Sequence, residues 1–156
     1  MAYVISGLDP APFRELYGRS DAELAAAGAV RRIADAMPGF PCRITLEDAE
    51  PGEALLLVNH EHLPVDSPYR SRHAIFVREG AETPARFEDE VPEQLERRLL
   101  SVRGFDKAGM MTGADVVEGA ELEPLIARFF ADPAVEYLHV HNAKPGCFAA
   151  RVDRSE

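Results

Sequence analysis

Short apolar runs recur through most of this chain and are separated by connections of only a few residues. The clearest runs are "AYVIS" (2–6), "ALLLVNH" (54–60) and "SRHAIFVRE" (71–79), and the turn "EPGE" (50–53) precedes the second of them. Two parallel strands need a connection of about a dozen residues or more, and several of these connections are shorter. The sequence therefore predicts a mixed, mostly antiparallel sheet of about seven short strands with three or four helices. The fold class is α+β, in one domain over residues 1–156.

Helix signals stand at four places in the sequence. Asp9 predicts the start of a helix that Gly18 ends, and Ser20 with Glu23 predicts a capping box for a second helix. A third helix is predicted from Pro92, followed by a strand at 99–105. The strongest helix is predicted over 120–131, where apolar residues share one helical face.

Two segments beside these helices carry separate predictions. "CRITLED" (42–48) is predicted as a short strand. Residues 80–94 are acidic and contain prolines, so they are predicted as a surface loop.

The charge balance disfavours two classes of partner. The chain has 27 acidic against 17 basic residues, a formal net charge of −10, so neither nucleic acid nor an anionic membrane is expected as a partner. A small basic pocket for an anionic metabolite remains compatible with that charge. The sequence has no signal-peptide pattern and no apolar run long enough to span a membrane, so a cytoplasmic location is expected. There, Cys42 and Cys147 are expected to be free thiols.

The stretch "YLHVHNAKPGCFAARVDR" (137–154) predicts a β-hairpin that turns at "NAKPG". Alternation places Leu138 and Val140 on one face, and Tyr137, His139 and His141 on the other. If the apolar faces coincide, four pairs oppose one another: Val140 with Phe148, His141 with Cys147, His139 with Ala149, and Tyr137 with Arg151. Opposed residues have Cβ atoms about 4.5–5.5 Å apart, so the thiol and an imidazole are predicted to meet.

A catalytic interpretation of this face uses the thiol. Cys147 acts as a nucleophile, His141 acts as its base, and His139 or Asn142 orients the base.

Three further interpretations remain open. His139, His141 and Cys147 bind a metal ion, together with His62 or His73. Alternatively, Arg151 and the imidazoles bind a small anionic metabolite without reacting. In the last interpretation, the hairpin carries half-exposed polar residues and an inert thiol.

Other polar residues are weaker candidates. His60 and His62 in "NHEH" have spacing suited to a metal, but loop histidines that only form hydrogen bonds are commoner. His73 lies on an apolar strand face, which is typical of a satisfied core histidine. Arg70 either clamps an anionic group or pairs with an acidic side chain. Cys42 is either a buried small apolar residue or a resolving thiol for Cys147.

Four motifs of the chain resemble a bacterial family known as domain of unknown function 1203: "GLDPAPF", "PCRITLEDAEPGEALLLVNHEH", "PYRSRHAIFVREG" and "YLHVHNAKPGCFAARVDR". The resemblance extends from end to end of the chain. It implies a free-standing bacterial protein and no particular activity. An aromatic residue commonly stands in that family where this sequence has His60, which argues against His60 as a ligand.

The leading prediction is a cytosolic small-molecule enzyme with a cysteine–histidine site on the C-terminal hairpin, and the alternative is a non-catalytic protein that binds a small metabolite. The predicted catalytic residues are Cys147, His141 and His139. The predicted ligand-binding residues are Arg151, Tyr137, Asn142, Arg70, His73 and His62. No phosphate-binding loop, dinucleotide fingerprint or redox Cys-x-x-Cys motif occurs, so no cofactor is predicted.

Overall fold

A computed structural model describes residues 2–155 of the chain. Nine strands lie in this part: β1 (Tyr3–Ser6), β2 (Val30–Ile33), β3 (Ala54–Leu63), β4 (Ser71–Arg78), β5 (Arg86–Glu88), β6 (Leu99–Phe105), β7 (Met111–Glu118), β8 (Tyr137–Asn142) and β9 (Phe148–Arg154). The same residues form three α-helices: α1 (Asp21–Ala26), α2 (Glu93–Glu96) and α3 (Leu122–Phe130). Two 3₁₀ segments lie at Arg14–Leu16 and Gly119–Glu121. The α+β prediction is confirmed, with nine strands instead of about seven.

The strands form two sheets, and all pairings between these nine strands are antiparallel. The larger sheet has the order β5-β1-β9-β8-β6-β7, and the smaller has the order β2-β3-β4. The predicted mostly antiparallel arrangement is therefore confirmed. None of the helices within residues 2–155 has both the length and the apolar character needed to cross a bilayer.

Local sequence signals account well for α1, α3 and β6. At the start of α1, the Ser20 hydroxyl accepts a hydrogen bond from the Glu23 amide at 3.1 Å, and the Glu23 carboxylate accepts one from the Ser20 amide at 3.0 Å. This is the predicted capping box. α3 buries one side, as its apolar spacing predicts, and β6 occupies the residues predicted for it.

The helix predicted after Asp9 is wrong, since only the short 3₁₀ segment Arg14–Leu16 forms there. The Asp9 carboxylate accepts a hydrogen bond from the Ala11 amide at 2.9 Å. Such a local side-chain bond stabilises a turn in competition with a helix.

Two other local predictions are also wrong. "CRITLED" folds back on itself, because the Leu46 amide donates to the Cys42 carbonyl at 3.1 Å and Leu46 has a positive φ of 54°. The predicted loop 80–94 contains β5, which pairs with β1, forms the edge of the larger sheet and sets Phe87 opposite Ile5. Pairing satisfies an open sheet edge, and this outcome depends on tertiary context.

The larger sheet is covered on both faces, which positions the candidate site. One face packs on α3 through a core that includes Leu138 and Val140. A second core contains Phe148 of β9 together with Val58 of β3 and Ile75 of β4, so it lies between the two sheets. Polar residues of β3, β4 and β8 point into this space and form the candidate site.

Candidate functional site

A β-bulge in β9 changes the predicted register of the hairpin. The observed pairs are Tyr137 with Asp153, Leu138 with Val152, His139 with Arg151, Val140 with Ala150, and His141 with Phe148. The register shifts between Val140 and His141, so Ala149 is an extra residue without a partner of its own. The four predicted pairs are therefore wrong: Val140 with Phe148, His141 with Cys147, His139 with Ala149, and Tyr137 with Arg151.

The bulge also moves Phe148 to the opposite face from the one predicted. Its ring stacks on His62 with centroids 4.8 Å apart, and it meets His139 edge-on at 4.9 Å. Ala149 and Ala150 both join the core on the α3 side. Phe148 therefore forms an apolar wall beside the histidines.

Cys147 lies just before β9, and its sulfur contacts a guanidinium group rather than an imidazole. Nη2 of Arg43 donates to Sγ at 2.9 Å, and Nδ2 of Asn142 lies 4.0 Å from the same atom. Nδ1 of His141 instead donates to the Gly146 carbonyl at 2.9 Å. Among residues 2–155, no hydrogen bond joins His141 to Cys147, so the predicted meeting of these two side chains is also wrong.

Arg43 is a buried cation with an unusual set of partners. Its side chain is 2 % exposed, with Nε donating to the Phe148 carbonyl at 2.9 Å and Nη1 donating to the Pro41 carbonyl at 2.7 Å. In the described part of the chain, no carboxylate lies within ion-pair distance of it. Burial lowers the pKa of Arg43, and the Cys147 sulfur opposes that effect. The sulfur is therefore the side-chain group best placed to balance this charge.

Four histidines converge from three strands, two of which belong to the smaller sheet and one to the larger sheet. His62 comes from β3, His73 from β4, and His139 and His141 from β8. One ring nitrogen from each of His62, His139 and His141 lies within 4.8 Å of the other two. A second bulge, between Glu61 and Leu63, leaves His62 without a cross-strand partner on β4. The packing of the two sheets brings these rings together.

The ring nitrogens make short contacts within this cluster. Nδ1 of His62 lies 3.4 Å from Nδ1 of His139, and Nε2 of His62 lies 2.6 Å from Nδ1 of His73. Nδ1 of His141 carries a proton, because the carbonyl of Gly146 only accepts hydrogen bonds. In the neutral ring, Nε2 of His141 is therefore an acceptor, and Nη1 of Arg103 lies 3.4 Å from it.

The histidines of the cluster are neutral at pH 7. Burial, together with the neighbouring imidazoles, lowers the pKa of His62 to about 3 and that of His139 to about 2. Burial also lowers the pKa of His141 to about 4, against the opposing effect of its hydrogen bond to Gly146. A neutral imidazole keeps one nitrogen lone pair, which is available to a proton donor or a metal ion.

A cavity of about 780 Å³ opens beside the cluster, in contact with Cys147. Its polar wall consists of Arg43, Arg97, Arg98, Lys144, His73, Asn142 and Cys147. No acidic residue of the described chain lines it. The buried Asp48 carboxylate lies behind this wall and accepts hydrogen bonds from Arg97 at 2.9 Å and Arg98 at 2.7 Å. Because one carboxylate faces two guanidinium groups, the wall is positively charged.

Asn142 lines the same wall and carries a buried hydrogen-bonding atom without a partner in the described chain. The residue is 6 % exposed, and its Oδ1 has no hydrogen-bond partner within residues 2–155. An unpartnered buried amide oxygen is costly, so a donor group on a bound molecule would stabilise this position.

Several predicted site residues lie outside the cavity. Arg70 is exposed and forms an ion pair with Glu61 at 2.8 Å. Of its two predicted roles, it therefore has the pairing with an acidic side chain. Arg151 pairs with Asp153, and its guanidinium carbon lies 4.1 Å from the centre of the Tyr137 ring. His60 packs against Phe13 instead of joining the cluster.

The two cysteines are both free, as expected, but their surroundings differ. Cys42 is 1 % exposed, and its sulfur accepts a hydrogen bond from the Arg78 amide at 3.2 Å. This environment fits the interpretation of Cys42 as a buried apolar residue. Cys147 is partly exposed at the cavity wall.

Four arginines that lie at the cavity or contact the histidine cluster were not predicted from the sequence: Arg43, Arg97, Arg98 and Arg103. Arg103 had a usable signal, because alternation in "LLSVRGF" sets it on the face opposite Leu100 and Val102. No sequence pattern marks Arg43, since it lies in a turn and contacts Phe148 and Cys147 only when β9 packs against that turn.

These features define a class of protein: an α+β domain whose two antiparallel sheets enclose a histidine cluster beside a basic cavity containing a thiol. The family model described as protein of unknown function (DUF1203) matches residues 39–154, and the chain belongs to this family. Three of the four motifs quoted for the resemblance lie within the matched range, and "GLDPAPF" precedes it. No curated protein and no solved structure matches the chain.

Proposed function

We propose that this protein is a small-molecule enzyme that uses Cys147 as a nucleophile on an anionic substrate bound between the two sheets. The observation that carries this proposal is the contact between Arg43 and Cys147: a guanidinium group that is 2 % exposed donates to Sγ at 2.9 Å. A buried cation needs a compensating negative charge, and a thiolate at this position supplies it. The thiolate is the nucleophilic form of cysteine, so the contact favours reactivity.

The cavity supports an anionic ligand with an apolar body. Its volume of about 780 Å³ lies within the range of pockets for small molecules. Leu57, Phe76 and Leu99 provide apolar surface, while Arg97 and Lys144 provide positive charge. Guanidinium groups bind carboxylates and phosphates through paired hydrogen bonds.

The proposed step is attack by Sγ of Cys147 on an electrophilic carbon of the bound molecule. A carbon–sulfur bond forms, the bond between that carbon and its leaving group breaks, and the electron pair of the broken bond departs with the leaving group. Asn142 holds the ligand through its unused Oδ1, and the arginines hold the anionic group. Catalytic roles for His141 and His139 stay predictions, with Arg43 replacing His141 as the group next to the thiol. A cytoplasmic location is part of the proposal, because free thiols persist in reducing compartments.

The test compares the alkylation of Cys147 by neutral iodoacetamide and anionic iodoacetate at one pH, with glutathione as the reference thiol. We expect the ratio of iodoacetate to iodoacetamide rates to exceed that of glutathione by roughly tenfold, because the basic wall attracts the anionic reagent. Lys144→Gln should lower the iodoacetate rate and leave the iodoacetamide rate unchanged. Arg43→Met should lower both rates, provided that circular dichroism shows a folded protein.

Two controls complete this design. Cys147→Ser should abolish the fast reaction, and buried Cys42 serves as the slow internal thiol. A Cys147 that reacts no faster than Cys42, with a reagent ratio equal to that of glutathione, would refute the proposal.

The second candidate function is non-catalytic binding of an anionic metabolite, which the basic wall and the unused Asn142 oxygen also favour. Thermal shifts with a panel of carboxylates and phosphate esters separate the two functions. Shifts that persist in Cys147→Ser, without turnover of any ligand by the unmodified protein, would favour binding alone.

A further inference from the structure

We propose that His62, His139 and His141 bind a divalent transition-metal ion of borderline character, such as Zn²⁺, with one open coordination position. One ring nitrogen from each of the three residues lies within 4.8 Å of the other two. Three histidines and an open position are a recurrent ligand set for catalytic zinc. The metal centre is independent of the chemistry proposed for Cys147.

The best-formed edge of the site joins His62 and His139, whose Nδ1 atoms face one another at 3.4 Å. Tetrahedral zinc with nitrogen ligands at about 2.0–2.1 Å places those nitrogens about 3.4 Å apart. Without a metal ion, one of the two atoms must carry a proton directed at the other. A cation between them satisfies both lone pairs at once. Small rotations of the rings would bring the third nitrogen to the same distance.

Neighbouring groups orient two of the rings for this role. His62 Nε2 lies 2.6 Å from His73 Nδ1, and a proton donated from His62 Nε2 leaves His62 Nδ1 bare. His141 donates Nδ1–H to the Gly146 carbonyl, which leaves Nε2 bare. Histidine ligands in metal sites commonly donate their second ring N–H to such a partner. His73 and Gly146 therefore act as positioning groups.

Access to the site runs through the cavity. His73 lines the cavity wall and contacts His62, so the cluster lies one ring behind the wall. Stacking on Phe148 shields another side of the cluster from water.

Arg103 opposes a cation at this site, because its Nη1 lies 3.4 Å from His141 Nε2. Its partners within the described chain include no carboxylate, and its side chain is only partly buried, so it can turn away. In the turned position, its charge favours an anion in the open position of the metal ion.

The experiment is a titration of chelator-treated protein with Co²⁺, followed by competition with Zn²⁺. We expect one Co²⁺ per chain, visible absorption bands typical of tetrahedral or five-coordinate cobalt, and displacement of Co²⁺ by Zn²⁺. His139→Gln and His62→Gln should each weaken binding by at least about 100-fold, and His73→Gln should weaken it by about 10- to 100-fold. His60→Gln is the matched control and should leave the affinity unchanged.

X-ray absorption on the Zn²⁺-loaded unmodified protein tests the site even if a variant fails to fold. We expect a shell of nitrogen scatterers at about 2.0 Å with imidazole features and no sulfur at about 2.3 Å. Sulfur in the shell, loss of binding in Cys147→Ser, or binding below one ion per chain would overturn the metal site. None of these outcomes depends on whether Cys147 is a nucleophile in the metal-free protein.

Discussion

Acidification of the metal-free protein from pH 7 to pH 5 is expected to lower its free energy of unfolding by roughly 4–5 kcal/mol through the histidine cluster. Burial holds the pKa of His62 at about 3, that of His139 at about 2 and that of His141 at about 4, while an unfolded histidine titrates near 6.5. The unfolded chain therefore binds protons that the folded chain rejects. The contribution of these neutral rings to the free energy of unfolding is fully present above about pH 6.5. It is lost as the pH falls toward the pKa values of the folded protein.

The magnitude follows from the number of rings and their exposure. Each ring that stays neutral in the folded state lowers the free energy of unfolding by about 1.9 kcal/mol between pH 7 and pH 5. His139 and His141 are each 1 % exposed, so each contributes this full amount. His62 is 9 % exposed and contributes about half of it. The total is a large part of the 5–15 kcal/mol typical of a domain.

The assay is urea unfolding at pH 7, 6 and 5 in the presence of a chelator, followed by far-ultraviolet circular dichroism. His139→Gln is the matched variant: whatever its stability at pH 7, its loss between pH 7 and pH 5 should be smaller by about 1.9 kcal/mol. A change below about 1 kcal/mol in the unmodified protein would show that the buried rings are already protonated or that they are solvated.

Two further predictions concern packing and charge around the site. Gly119→Ala should destabilise the protein by about 3 kcal/mol or more in urea unfolding, because an added Cβ would lie 1.9 Å from the Leu95 carbonyl oxygen. Gly39→Ala, where the nearest atom would be 3.8 Å away, is the matched control and should change stability little. Asp48→Asn should destabilise by about 3–5 kcal/mol, because it leaves two partly buried guanidinium groups without their carboxylate. A loss below about 1 kcal/mol in Asp48→Asn would mean that solvent already screens those charges.

Local sequence signals determined several elements of this protein directly. Ser20 and Glu23 cap α1 as predicted, and alternation in β8 places Leu138 in the core on the α3 side. Such signals are reliable because the interactions behind them join residues a few positions apart.

Tertiary structure alone decided the composition of the candidate site. One extra residue, Ala149, moves Phe148 across the sheet and separates His141 from Cys147, and alternation cannot reveal such a bulge. Arg43 reaches Cys147 across 104 positions of sequence, and His62 reaches His139 across 77. These contacts exist because two sheets pack face to face, and the free energy of that packing depends on the whole chain rather than on any short segment.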